Sequence, residues 1–78
     1  MLNFKAFSGS IQVRTELESW LSQIEDLKIT NVWEPDPKED WGTWGVFFSY
    51  KDKTILKTIK KEWLKKGVVV ELTDTEIS

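Results

Sequence analysis

The 78-residue chain contains no cysteine and no histidine. The first absence excludes disulfides, thiolate nucleophiles and thiolate metal sites. The second excludes an imidazole base, a Ser-His-Asp triad and His-ligated zinc. Only four glycines and two prolines are present, and no glycine-rich phosphate loop can be built from them. Ser8-Gly9-Ser10 is too short, and Trp41-Gly42-Thr43-Trp44-Gly45 follows no strand-to-helix turn. Long apolar runs are missing as well. Val68-Val69-Val70 falls far below the ~18–20 residues of a membrane span. Met1 to Lys5 lacks the basic and long apolar regions of a secretory signal, so a cytoplasmic setting is expected. The 11 basic and 13 acidic side chains give a net charge of −2, with a pI near 5.1. That balance argues against a dedicated nucleic-acid binder, whose field must displace counterions from phosphates.

What the chain does have is bulk. Five Trp, four Phe and one Tyr supply large apolar area to a chain that buries only roughly 60–65% of its unfolded surface. One domain, residues 1–78, is expected. Leu2, Phe4 and Ala6 alternate with Asn3 and Lys5 as in a half-buried strand. Ser8 or Ser10 then caps a helix over residues 11–26, whose apolar stripe is Val13, Leu17, Trp20, Leu21 and Ile24. Residues 27–33 read as a second strand, rich in β-branched and aromatic side chains. The polar segment 34–40, with Pro35 and Pro37, breaks it.

Trp44 to Tyr50 alternate as a third strand, with Gly45, Phe47 and Ser49 on one face. Asp52 and Gly67 bracket a second helix with a stripe of Ile55, Leu56, Ile59, Trp63 and Leu64. Residues 68–73 form a fourth strand, and 74–78 a frayed polar tail. A shift of 43 residues superimposes Trp20-Leu21 on Trp63-Leu64 and Thr15 on Thr58, as expected of two βαβ halves. The pattern predicts an α+β, ferredoxin-like split βαβ (βαββαβ) fold. Right-handed crossovers then place two helices on one face of a four-stranded antiparallel sheet.

Trp20 and Trp63 lie within helical stripes and are assigned to the core. The chemistry-bearing candidates lie elsewhere. Trp33, Trp41 and Trp44 flank a stretch carrying Glu34, Asp36, Glu39 and Asp40 against a single cation, Lys38. Aromatic anchors on a proline-stiffened segment suit protein recognition, and the carboxylates would steer a basic partner. The plainer reading is that Trp33 and Trp44 close the end of the core while the acids solvate a turn. The acids lack the ligand spacing of a calcium loop, so no metal or cofactor is expected.

Residues 1–50 carry net −4 and residues 51–78 net +2. Lys53, Lys57, Lys60, Lys61 and Lys65 lie off the second helix's apolar stripe. Such a face suits phosphate contacts, an anionic membrane surface, or simple solvation. The absence of arginine there weakens specific base or phosphate recognition. Phe47 on the open sheet resembles one stacking position of RNA-recognition modules, without the rest of that signature. The same open face, with Phe47, Val32 and Val69, would also suit a homodimer. With only carboxylates, lysines, Tyr50 and hydroxyls to work with, catalysis is not expected. The leading expectation is a small non-catalytic interaction domain, an adaptor or inhibitor, binding a protein through the acidic Trp-rich loop and adjoining sheet edge. The alternative is a weak nucleic-acid binder using the lysine face or Phe47.

Overall fold

The computed structural model describes residues 1–36, 38, 42–73. Its elements are β1 (Leu2–Ser8), α1 (Ile11–Ser22), β2 (Lys28–Trp33), β3 (Trp44–Tyr50), α2 (Thr54–Trp63), a 3₁₀ turn (Leu64–Lys66) and β4 (Val69–Leu72). The chain is a mixed α+β structure. The strands form one antiparallel sheet in the order β2-β3-β1-β4. β1 and β3 lie in its centre, where Phe4 pairs with Phe48 and Ala6 with Val46. The 74–78 tail lies outside the described residues.

Alternation along β1 and β3 divides the sheet into a helix-covered face and an open one. Phe4, Ala6, Val46, Phe48 and Val70 join Leu17 and Leu21 of α1 and Ile55, Ile59 and Trp63 of α2 in one buried cluster. Phe4 and Phe48 are fully buried and stack at 5.2 Å. Trp20 packs against the cluster, its ring 5.8 Å from that of Trp63. Both tryptophans are therefore core residues, as the stripes predict.

Local chemistry sets the element ends. Ser10 Oγ accepts the Val13 N–H at the start of α1, while the buried Ser8 hydroxyl bonds the Ser10 backbone. The first helix stops at Ser22, four residues short of the predicted end, because a turn reaching Asp26 (φ 68°) intervenes. Ile24 still packs against the core from that turn. The Asp52 cap acts one residue early. Its Oδ1 accepts the Thr54 N–H at 2.9 Å and the Thr54 hydroxyl, while the capping position itself belongs to Lys53. Gly67 ends the 3₁₀ turn in the left-handed region, φ 87°, as expected of a residue without Cβ. Leu64 departs from the predicted stripe. The α-helix ends at Trp63 and Leu64 is 61% exposed.

Candidate functional site

Trp33 and Trp44, which flank the acidic segment, do not share a face of the sheet. Trp33 pairs with Gly45, and Trp44 pairs with Ser8. Directly paired residues share a face, so the two tryptophans point to opposite sides of the sheet. Trp44 lies on the helix side under the Arg14 guanidinium, 5.9 Å from its ring centroid. Trp33 lies on the open side and leaves the core entirely.

The cause is a β-bulge in β2. Ile29 pairs with Phe48 on the helix side, and the register then skips Thr30, so Asn31 meets Phe47 and Trp33 meets Gly45. One extra residue reverses the parity of everything beyond it. Val32 accordingly pairs with Val46 on the helix side, which corrects its expected place on the open face. Without the bulge, Val32 would face outward and Trp33 inward.

Trp33 then meets two aromatics brought by the central strands. Its ring lies 4.8 Å from Phe47 and 6.0 Å from Phe7, tilted by 47° and 48°. The indole N–H donates to Thr43 Oγ1 at 3.3 Å, which fixes one edge of the ring. Gly45 makes this possible: a Cβ there would run into the Trp33 ring. A glycine inside a strand next to a cross-strand aromatic is the sequence signal for such packing.

Around this trio sit Lys5, Glu71 and Val69. The Lys5 ammonium lies 3.3 Å from Glu71 and 5.7 Å from the Phe7 centroid. Val69 pairs with Phe7 and is 44% exposed. Phe7, Trp33 and Phe47 are all partly exposed, and no element covers them among the described residues. Glu34 and Asp36 follow directly on Trp33 and are exposed, with Asp36 Oδ1 accepting the Lys38 N–H. Glu39, Asp40 and Trp41 lie outside the described residues.

Lys53, Lys57, Lys60, Lys61 and Lys65 are all exposed on the helix layer, on the other side of the molecule from the trio. Phe47 and these lysines therefore do not form one nucleic-acid surface. A shallow depression of about 280 Å³ lies between α1 and β2, lined by Thr15, Glu18, Ser19, Ser22 and Ile29. No helix is long and apolar enough to cross a membrane, and no cluster of acidic side chains is grouped to hold a metal ion, among the described residues.

The chain matches no protein-family model, no curated protein and no solved structure.

Proposed function

We propose that the chain is a small non-catalytic adaptor or inhibitor domain that docks a basic-surfaced protein on its open sheet face. The observation that carries this reading is the Phe7–Trp33–Phe47 trio. A bulge and a strand glycine turn a large aromatic away from a core that is short of apolar area, and leave it partly exposed. Aromatics in such positions anchor interfaces at low entropic cost. Glu34 and Asp36, exposed directly after Trp33, supply a negative rim to steer a cationic partner. The docking surface is thus the open sheet face rather than the loop alone, with Glu34 and Asp36 at its border.

Several features support the remaining parts. The strand order β2-β3-β1-β4 supports a ferredoxin-like split βαβ arrangement, a fold that hosts many unrelated functions. The non-catalytic reading is supported by the lack of histidine and cysteine and by a depression whose single ionisable lining residue is Glu18. A cytoplasmic setting rests on the lack of a secretory-signal pattern at Met1 to Lys5. A second copy is a weaker candidate for the face, since its acidic border would meet its own like charge. Stacking of single-stranded nucleic acid on the same rings is the competing reading, favoured by three clustered aromatics beside Lys5.

Titration with a lysine- and arginine-rich peptide and with a short oligothymidylate, watching the Trp33 indole N–H by NMR, separates the two. The protein-docking reading expects saturable shifts with the peptide, at the indole N–H and at the Phe7 and Phe47 backbone amides, and loss of the two amide shifts in Trp33→Ala. Shifts with the oligonucleotide alone would overturn it.

A further inference from the structure

We infer that the outer face of α2 is a peripheral docking surface for anionic phospholipid bilayers. Residues 51–66 contain seven lysines. Two are engaged: Lys51 lies 3.7 Å from Asp26, and Lys66 lies 3.5 Å from Glu16 and 4.9 Å from the Trp63 ring centroid. The other five, Lys53, Lys57, Lys60, Lys61 and Lys65, are exposed and form no ion pair among the described residues.

At about 100° of rotation per residue, Lys53, Lys57, Lys60 and Lys61 share one arc of the helix, with Lys65 beside it. That arc is opposite the buried Ile55, Ile59 and Trp63. Leu64, 61% exposed and still helical at φ −58° and ψ −41°, falls in the middle of it. Asp52 sits at the helix start, bonded to Thr54, and Glu62 falls on the far side of the arc. The face is therefore cationic without interruption, with an isobutyl group at its centre.

Two details favour a bilayer over a polynucleotide. All the cations are lysines, point charges that respond to a diffuse anionic surface but lack the planar fork suited to single phosphates or bases. A phosphate backbone offers nothing to Leu64, whereas the headgroup–acyl boundary takes an apolar side chain flanked by lysines. The helices cover one side of the sheet and the Phe7–Trp33–Phe47 trio lies on the other. Bilayer contact through α2 thus leaves the trio free, and the inference does not depend on what binds there.

The test is co-sedimentation of the full chain with vesicles of phosphatidylcholine, with or without phosphatidylserine, at low and at physiological salt. Binding is expected only with phosphatidylserine and is expected to weaken as salt rises. Each lysine near the surface is worth about fivefold in affinity, so Lys57→Gln, Lys60→Gln and Lys61→Gln together are expected to lower binding on the order of 100-fold. Leu64→Ser is expected to lower it about three- to tenfold. All four positions are exposed, and circular dichroism checks that the fold is kept. No binding to phosphatidylserine vesicles at low salt would overturn the inference, as would binding indifferent to the triple substitution. A duplex or single-stranded oligonucleotide bound more tightly than the vesicles, with Leu64→Ser without effect, would assign the face to nucleic acid instead.

Discussion

Gly45→Ala is the sharpest perturbation of the open face, because one methyl group is aimed at one ring. The added Cβ would occupy the space of the Trp33 indole, so the ring must tip away from the sheet. Tipping loses its contacts with Phe47 at 4.8 Å and Phe7 at 6.0 Å, each worth about 0.5–1.5 kcal/mol. It also breaks the 3.3 Å indole–Thr43 hydrogen bond, worth about 1 kcal/mol in typical cases and less where water can replace it. Alanine recovers roughly 0.5–1 kcal/mol of backbone entropy relative to glycine. The net expectation is destabilisation of about 1–2 kcal/mol. For 78 residues the unfolding entropy makes that a melting-temperature drop of about 6–12 °C. In a Trp33→Ala background the collision is gone, and Gly45→Ala should become neutral or stabilising by up to about 1 kcal/mol. Urea titrations of the four proteins of this cycle measure the coupling, and the Trp33 indole resonance reports the displaced ring. A Gly45→Ala protein as stable as wild type, with that resonance unmoved, would refute the placement of Trp33.

Deleting Thr30 removes the bulge but keeps the pairing of Asn31, Val32 and Trp33 with Phe47, Val46 and Gly45. The protein should therefore stay folded with the indole resonance in place, while the straightened edge strand self-associates more readily in sedimentation velocity. Phe48→Ala empties a fully buried site stacked on Phe4, costing about 3–5 kcal/mol. In so small a domain this should leave the chain largely unfolded by circular dichroism at 25 °C. Asp52 is held below its ordinary carboxylate value of 3.8 by hydrogen bonds from the Thr54 hydroxyl and backbone N–H. Its contribution is full above that ordinary value and is lost as pH falls through the lower folded one. Asp52→Ala should accordingly reduce stability at neutral pH and flatten the acid limb of a urea-midpoint profile below about pH 4.

Most of the fold was legible because apolar periodicity and caps act locally. The third strand has the predicted bounds, Trp44–Tyr50. Trp20 and Trp63 fall in or against the core, and Ser10 and Gly67 cap as their chemistry suggests. The departures have physical causes that periodicity alone does not carry. Ala6, by contrast, follows the predicted alternation and is fully buried between Val46 and Val70 in the sheet centre. Leu64 follows Trp63 in the chain, but at about 100° per residue it falls on the lysine side of α2 rather than on the stripe, and it is exposed.

The site was only partly legible, for one reason. A bulge between Ile29 and Asn31 has no punctuating residue, since Thr30 and Asn31 are ordinary strand-edge residues. Strict alternation therefore places Val32 outward and Trp33 inward, the reverse of what the bulge produces. Gly45 was the available signal, an unexplained strand glycine whose lost side chain makes room for a ring from the neighbouring strand. The lysine face needed no such signal, because helical spacing alone separates it from Ile55, Ile59 and Trp63.

On the proposed function, the Phe7–Trp33–Phe47 face docks a basic protein. Photo-crosslinking tests it most directly, with p-benzoylphenylalanine replacing Phe47 in cells that make the chain and, as a control, replacing Lys61 on the helix layer. Docking on this face should give a discrete protein adduct from position 47, rich in lysine and arginine at the crosslinked surface and lost when Trp33→Ala is added. An adduct formed from position 61 but not from 47, or one from 47 that persists unchanged with Trp33→Ala, would contradict it.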